Sequence, residues 1–311
     1  MNADQGAACL LGALVADAAA LGLHWIYDVD RIADVAARHG GAAFTPLDPA
    51  HFAGVPAYFA HGARRVGQFT QYGEGLRLAL RTMAGGLDVA AHQAAYAAHF
   101  GPGGAYVGYI DKPTRGTLAH LAAGATDPSG VDDDQLPALV TIPAVVVATG
   151  GHPTSAQVQA AVAITNANDT AQTYGAVFAD LLTRVLDGAD IASALDATAT
   201  LPALRAALTT PEPDPVAYGG VTGRACHLDM GVPLAFHILS RATSFAQATE
   251  LNIRAGGDSA GRAIVIGAVM GARHGIGGDW GIPLDWALRL HDGATVWADC
   301  QHLAGTVTRP A

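Results

Sequence analysis

Between residues 262 and 275 the chain places Ala263, Gly267, Ala268, Gly271, Ala272 and Gly275 at spacings of three and four. On a helix these side chains share one face. Glycine inside a helix costs roughly 0.5–1 kcal/mol relative to alanine. A chain that keeps several of them there must recover that cost by pressing the bare face against another backbone. Helical periodicity runs through the rest as well. Over 169–187, Tyr174, Val177, Phe178, Leu181, Leu182 and Val185 recur along one stripe, with Asn166 and Asn168 ahead as candidate caps and Gly188 behind as a stop. Similar patterns cover 7–23, 74–84, 88–99, 154–164 and 232–241. The β-branched run in 136–151 fits a strand or a buried helix, and a lone strand makes no sheet. The Pro/Gly/Asp-rich stretches 124–137 and 209–220 read as loops rather than interdomain linkers, and no repeat is visible. The expectation is one all-α domain over residues 1–311.

Composition narrows the partners. Half of the 311 residues are hydrophobic, 14% are charged, and mean hydropathy is +0.26, which suits packed helices rather than disorder. A net charge of -10 and a pI near 5.6 leave no basic stripe to engage a nucleic-acid backbone. Cys9, Cys226 and Cys300 are odd in number and far apart, which predicts free thiols in a reducing cytoplasm. The apolar N-terminus lacks a basic leader and carries Asp4 and Asp17, so it reads as a core helix and neither a signal peptide nor a membrane span.

The stretch GGDSAGRA (256–263) holds the sharpest ambiguity. GDSAG matches the G-x-S-x-G elbow of serine hydrolases, with Asp279, Asp285, His291 and His302 downstream as formal partners of Ser259. An elbow needs a strand before the serine, and the preceding LNIRA (251–255) is too short and polar for one. The alternative reading makes Asp258 the first residue of a helix entry, where free N–H groups and the dipole favour an anion or an ordered carboxylate. Three other clusters carry chemical groups. HWIYD (24–28) gathers His24, Trp25 and Asp28; YVGYIDKPTR (106–115) gathers Tyr106, Tyr109, Lys112 and Arg115; TNANDT (165–170) presents Asn166. Each has a plain structural alternative as a helix end, a solvated loop or a cap.

The loop at 256–261, followed by Gly267, Gly271, Ala272 and Gly275, resembles the C-terminal G-G-D-T-D-T signature and small-residue helix of the ADP-ribosylglycohydrolase family. IPLDW (282–286) resembles that family's I-P-x-x-W ending, and GALVADA (12–18) its G-A-x-x-G-D-A opening, with Ala16 replacing the second glycine. The resemblance implies an all-α orthogonal multi-helix bundle and hydrolysis of a glycosidic bond in an ADP-ribosyl or other ribose-containing small molecule. In active relatives two Mg²⁺ ions sit in the cleft.

The departures fall on the metal ligands. The family's T-D-D-T stretch reads TQYGE (70–74) here, the glutamate seven residues after Asp17 is His24, and Ala260 and Gly261 replace the second Asp-Thr pair. Magnesium wants several oxygen anions, and of these only Asp258 clearly survives. The expectation is at most one weakly held Mg or Mn ion at Asp258, helped by Glu74 or His24. None of the thirteen histidines shows zinc-ligand spacing. The resemblance and the residues together nominate Asp258, His24 and Glu74 for catalysis. Asp17, Trp25, Asp28, Thr70, Tyr109, Arg115, Asn166 and Ser259 are nominated for substrate contact. A non-catalytic binding or crystallin-like member of the same fold is the competing expectation.

Overall fold

The computed structural model describes residues 1–306. Helices α1 (Ala3–Ala20), α2 (Val29–His39), α3 (Gln71–Thr82), α4 (Val89–Phe100), α5 (Lys112–Ala122), α6 (Ile142–Ala148), α7 (Ser155–Ala163) and α8 (Asp169–Leu186) form the first part. They are followed by α9 (Ile191–Thr198), α10 (Pro202–Thr209), α11 (Pro215–Thr222), α12 (Leu228–Leu239), α13 (Phe245–Arg254), α14 (Ser259–His274), α15 (Leu284–Leu288) and α16 (Gly293–Gly305). No strand forms among the described residues; the few β-bridges are isolated pairs. The protein is all-α, as the periodicity predicts.

The axis of the bundle is the pair α1 and α14, the most extensive helix contact in the molecule. Its glycines explain the small-residue face. A Cβ on Gly12 or Gly267 would collide with the other's carbonyl oxygen, and one on Gly271 with the carbonyl of Ala8. The two backbones touch directly, which compensates for the conformational cost of glycine in a helix. A capping box between Asn2 and Gln5 starts α1, whose residues from Gly6 to Ala20 are all buried. Such a helix is apolar all round because it is enclosed all round. The segment Ala3–Leu23 is long and apolar enough to cross a membrane, yet it lies wholly inside this bundle against α14, α16 and α3. Cys9 and Cys300 share the interior, where burial pushes the Cys9 thiol up to about 12.

Three segments differ from the sequence reading. The 136–151 run forms a 3₁₀ turn (Leu136–Leu139) and α6, with Pro143 inside its first turn, where the missing N–H costs nothing. Residues 215–220, expected in a loop, belong to α11, which Asp214 caps and Pro215 starts. Lys112 and Arg115 stand on α5 rather than a loop, because Asp111 accepts from Thr114 N and caps that helix.

The architecture brings three chain segments to one place. The entry of α14 faces the link between α1 and α2, and both abut the first turn of α3. Gly257 N donates to Ile26 O at 2.7 Å and Trp25 N donates to Gly257 O at 2.9 Å, fastening the first two. Gly256 and Gly257 make this approach possible, with φ of +76° and +65° that only glycine adopts freely.

Candidate active site

Asp258 caps α14 and has no exposed surface. Its Oδ1 accepts from Gly261 N at 2.9 Å and from His24 Nε2 at 3.0 Å, and its Oδ2 accepts from the Tyr72 hydroxyl at 2.7 Å. Burial alone would raise this carboxyl, but the hydrogen bonds from His24, Tyr72 and Gly261 N hold it below the ordinary aspartate value. Burial and Asp258 in turn drive the Tyr72 phenol well above its usual value, so Tyr72 stays a donor. One turn along, Arg262 is also fully buried. Its guanidinium donates to Asn252 Oδ1 at 2.9 Å, to the carbonyls of Asn252 and Arg224 at 3.2 Å, and to that of Gly256 at 2.6 Å. Burial lowers Arg262 to about 10, against the pull of Asp258, so it remains a cation at neutral pH. The helix entry therefore encloses one fixed negative and one fixed positive charge.

His24 extends this centre outward. Its Nδ1 lies 2.8 Å from His61 Nε2, and the ring planes are within 19°. Trp25 packs on both histidines at φ +65°, a conformation that costs a bulky residue roughly 1–3 kcal/mol and is characteristic of functional sites. Tyr109 meets Trp25 edge-on with centroids 5.0 Å apart, Tyr58 touches both, and the Arg115 guanidinium lies over the Tyr109 ring. An aromatic wall with a cation at its rim thus covers the histidine pair.

The remaining nominated residues take separate places. Asp17 accepts from Thr70 N at 2.9 Å and from Thr70 Oγ1 at 2.5 Å, and Thr70 caps α3, so these two residues anchor the helix that delivers Tyr72. Burial pushes Asp17 up to about 7 despite those bonds. Asp28 caps α2. Asn166 donates to Asp133 O at 2.8 Å and ties a loop, while Asn168 is the cap of α8. Ser259 is buried, its hydroxyl has no partner, and no histidine approaches it, so the serine-elbow arrangement is not formed.

Glu74 does not join Asp258. Its carboxylate is taken by Arg64 and, at 3.2 Å, by His99. The reason is helical: Tyr72 and Glu74 are two residues apart, about 200° round the axis, so only one can face the α14 entry. Burial raises Glu74, but His99 and Arg64 outweigh it and hold the carboxyl low.

A divalent ion does not fit these donors. Both Asp258 oxygens are already engaged, one by a hydroxyl and one by an imidazole N–H, and His24 spends Nε2 on the carboxylate itself. A side chain at Gly261 would meet Leu136 Cδ1 at 2.7 Å, so apolar bulk fills the room beside it. No group of three or more metal-binding side chains occurs among the described residues. Of the residues expected to hold one ion, Asp258 and His24 are bonded to each other and Glu74 stands apart with Arg64 and His99.

His61, Tyr72, Arg262 and Asp111 escape the sequence reading. Asp111 is buried beside Tyr72, and burial raises it against the hydrogen bond from Thr114 N. Arg262 left one signal, being the single charge in an otherwise uncharged run from Ser259 to Ala272. His61 left none, since it sits alone in the 52–70 connection.

The fold is thus an all-helical bundle whose glycine-faced central helix opens on a buried aspartate beneath an aromatic wall. The family model for ADP-ribosylglycohydrolase matches residues 2–310, and the chain belongs to that family. A solved structure titled "ADP-ribosylglycohydrolase-related protein complex" superposes with a TM-score of 0.70 at 19% identity, covering 98% of this chain and 99% of that one, which supports the fold. No match appears among curated proteins.

Proposed function

We propose that the chain hydrolyses a glycosidic bond of an ADP-ribosyl or other ribose-containing small molecule, without the family's pair of magnesium ions. One observation carries this reading: the buried Asp258 carboxylate is held by Tyr72 and His24, groups that supply from the protein the positive polarisation a dication would otherwise bring. Cleavage of such a bond passes through an oxocarbenium-like state and needs a fixed negative charge, an activated water and a proton for the leaving group. Asp258 supplies the charge through His24 rather than as a nucleophile, because neither oxygen is free. Trp25, Tyr58 and Tyr109 offer ring faces to a base or ribose, and Arg115 suits a phosphate. Asp258→Asn should abolish turnover of ADP-ribosyl or nucleoside substrates with the helical spectrum intact; retained turnover removes the assignment.

A second reading, a binding protein without turnover, is favoured by one observation. Asp258, His24, Tyr72 and His61 are all at most 2% exposed, so the centre is closed until its aromatic cover parts. Stabilisation by ADP-ribose with no product from any conjugate would favour that reading.

A further inference from the structure

The hydrogen bonds at the α14 entry fix the direction of a proton chain. Asp258 is an acceptor, so His24 Nε2 carries hydrogen. Arg262, fully buried one turn along α14, is already a cation near Asp258, and a neutral His24 adds no second buried positive charge. An uncharged His24 then presents a bare Nδ1, which must accept from His61 Nε2 at 2.8 Å. With centroids 5.0 Å apart and planes within 19°, the two nitrogens lie on the line between the rings, the arrangement of a true in-plane bond. That leaves His61 Nδ1 as a lone pair. It is buried, has no partner, and belongs to a side chain 2% exposed, which makes it an acceptor waiting for a donor.

We infer that His61 is the catalytic base of this site, taking a proton from the attacking water at Nδ1 while passing its Nε2 proton to His24. The inference rests on the glycohydrolase reading above. In the step, the water oxygen bonds to the anomeric carbon, the glycosidic bond breaks, and its electron pair leaves with the aglycone. The water proton ends on His61, and the proton it displaces makes His24 an imidazolium facing Asp258. Return of one proton to the aglycone restores the resting pair, so substrate and water become the free sugar and the protonated leaving group. Burial and the nearby Arg64 guanidinium both disfavour positive charge on His61. The transfer moves that charge onto the ring that Asp258 faces. Because Nδ1 has no exposed surface, substrate reaches it only when the cover formed by Trp25, Tyr109 and the half-exposed Tyr58 opens.

The test has two arms on the full chain. Nitrogen-15 histidine NMR reads the tautomers without any substrate: both rings should carry hydrogen on Nε2, with His61 Nδ1 unprotonated. Hydrogen on His61 Nδ1 would overturn the relay. In the second arm, His61→Gln retains an amide that can donate to His24 but cannot take up a proton. Against a panel of N- and O-linked ADP-ribose conjugates it should lower kcat by about 100-fold or more, leave KM within threefold, and remove the acidic limb of the kcat–pH profile. A His61→Gln enzyme with unchanged kcat overturns the inference. If Asp258→Asn still abolishes turnover in that case, the glycohydrolase reading stands alone; if wild type turns over none of the conjugates, that reading fails while the tautomers still decide how the relay is wired.

Discussion

Asp17 offers a quantitative test of how the α1–α3 contact is built. Its carboxyl is fully buried and pushed up to about 7, from an ordinary value of 3.8. A folded-state value above the unfolded one means that the folded protein binds the extra proton. The contribution to stability is therefore complete below the unfolded value and is lost as pH rises through about 7. Integrating between the two values gives a loss of about 4 kcal/mol in all, of which about 2–3 kcal/mol falls between about pH 5 and about pH 8. Many groups titrate over that window, so the wild-type curve alone does not isolate this one. Asp17→Asn removes the titration while keeping the shape. Urea unfolding of both proteins at the two pH values should show the stability difference shifting by about 2–3 kcal/mol in favour of the variant at the higher pH. A difference that stays constant to within about 0.5 kcal/mol would refute the reasoning, because Asp17 would then be no harder to ionise in the fold than in the unfolded chain.

Two further perturbations separate packing from chemistry. Gly267→Ala sets a methyl group against the Gly12 carbonyl, where neither backbone can yield, and should cost about 3 kcal/mol or more, read as a lower denaturation midpoint or loss of soluble protein. Glu74→Gln should lower stability by about 2 kcal/mol through its weakened bonds to Arg64 and His99, yet leave turnover within threefold, because Glu74 touches neither Asp258 nor His24. A large kcat loss would return Glu74 to the site.

The elements were largely legible because helices write their period into the chain. Both ends of α8 and the start of α14 fall close to the caps that Asn168, Gly188 and Asp258 suggest. The 136–151 run was ambiguous because periodicity does not separate a short buried helix from a strand, and packing against α8 decides it. The site was legible where one loop supplies it and opaque where distant segments meet. Asp258 and His24 stand in motifs, although 234 residues separate them. Tyr72 was read only as a missing aspartate, since a substitution names what is lost and not the hydroxyl brought in its place. His61 needs the folded 52–70 connection to reach His24. Glu74 was misplaced because linear proximity to Tyr72 ignores the half-turn between them.

The central claim, that protein donors stand where a dication would bind, is tested most directly by equilibrium binding of Mn²⁺ to the intact chain, followed by calorimetry or electron paramagnetic resonance. The account predicts no stoichiometric site at concentrations up to about 1 mM, a free energy of about 4 kcal/mol. Saturable binding of one or two ions per chain, lost in Asp258→Asn, would contradict it.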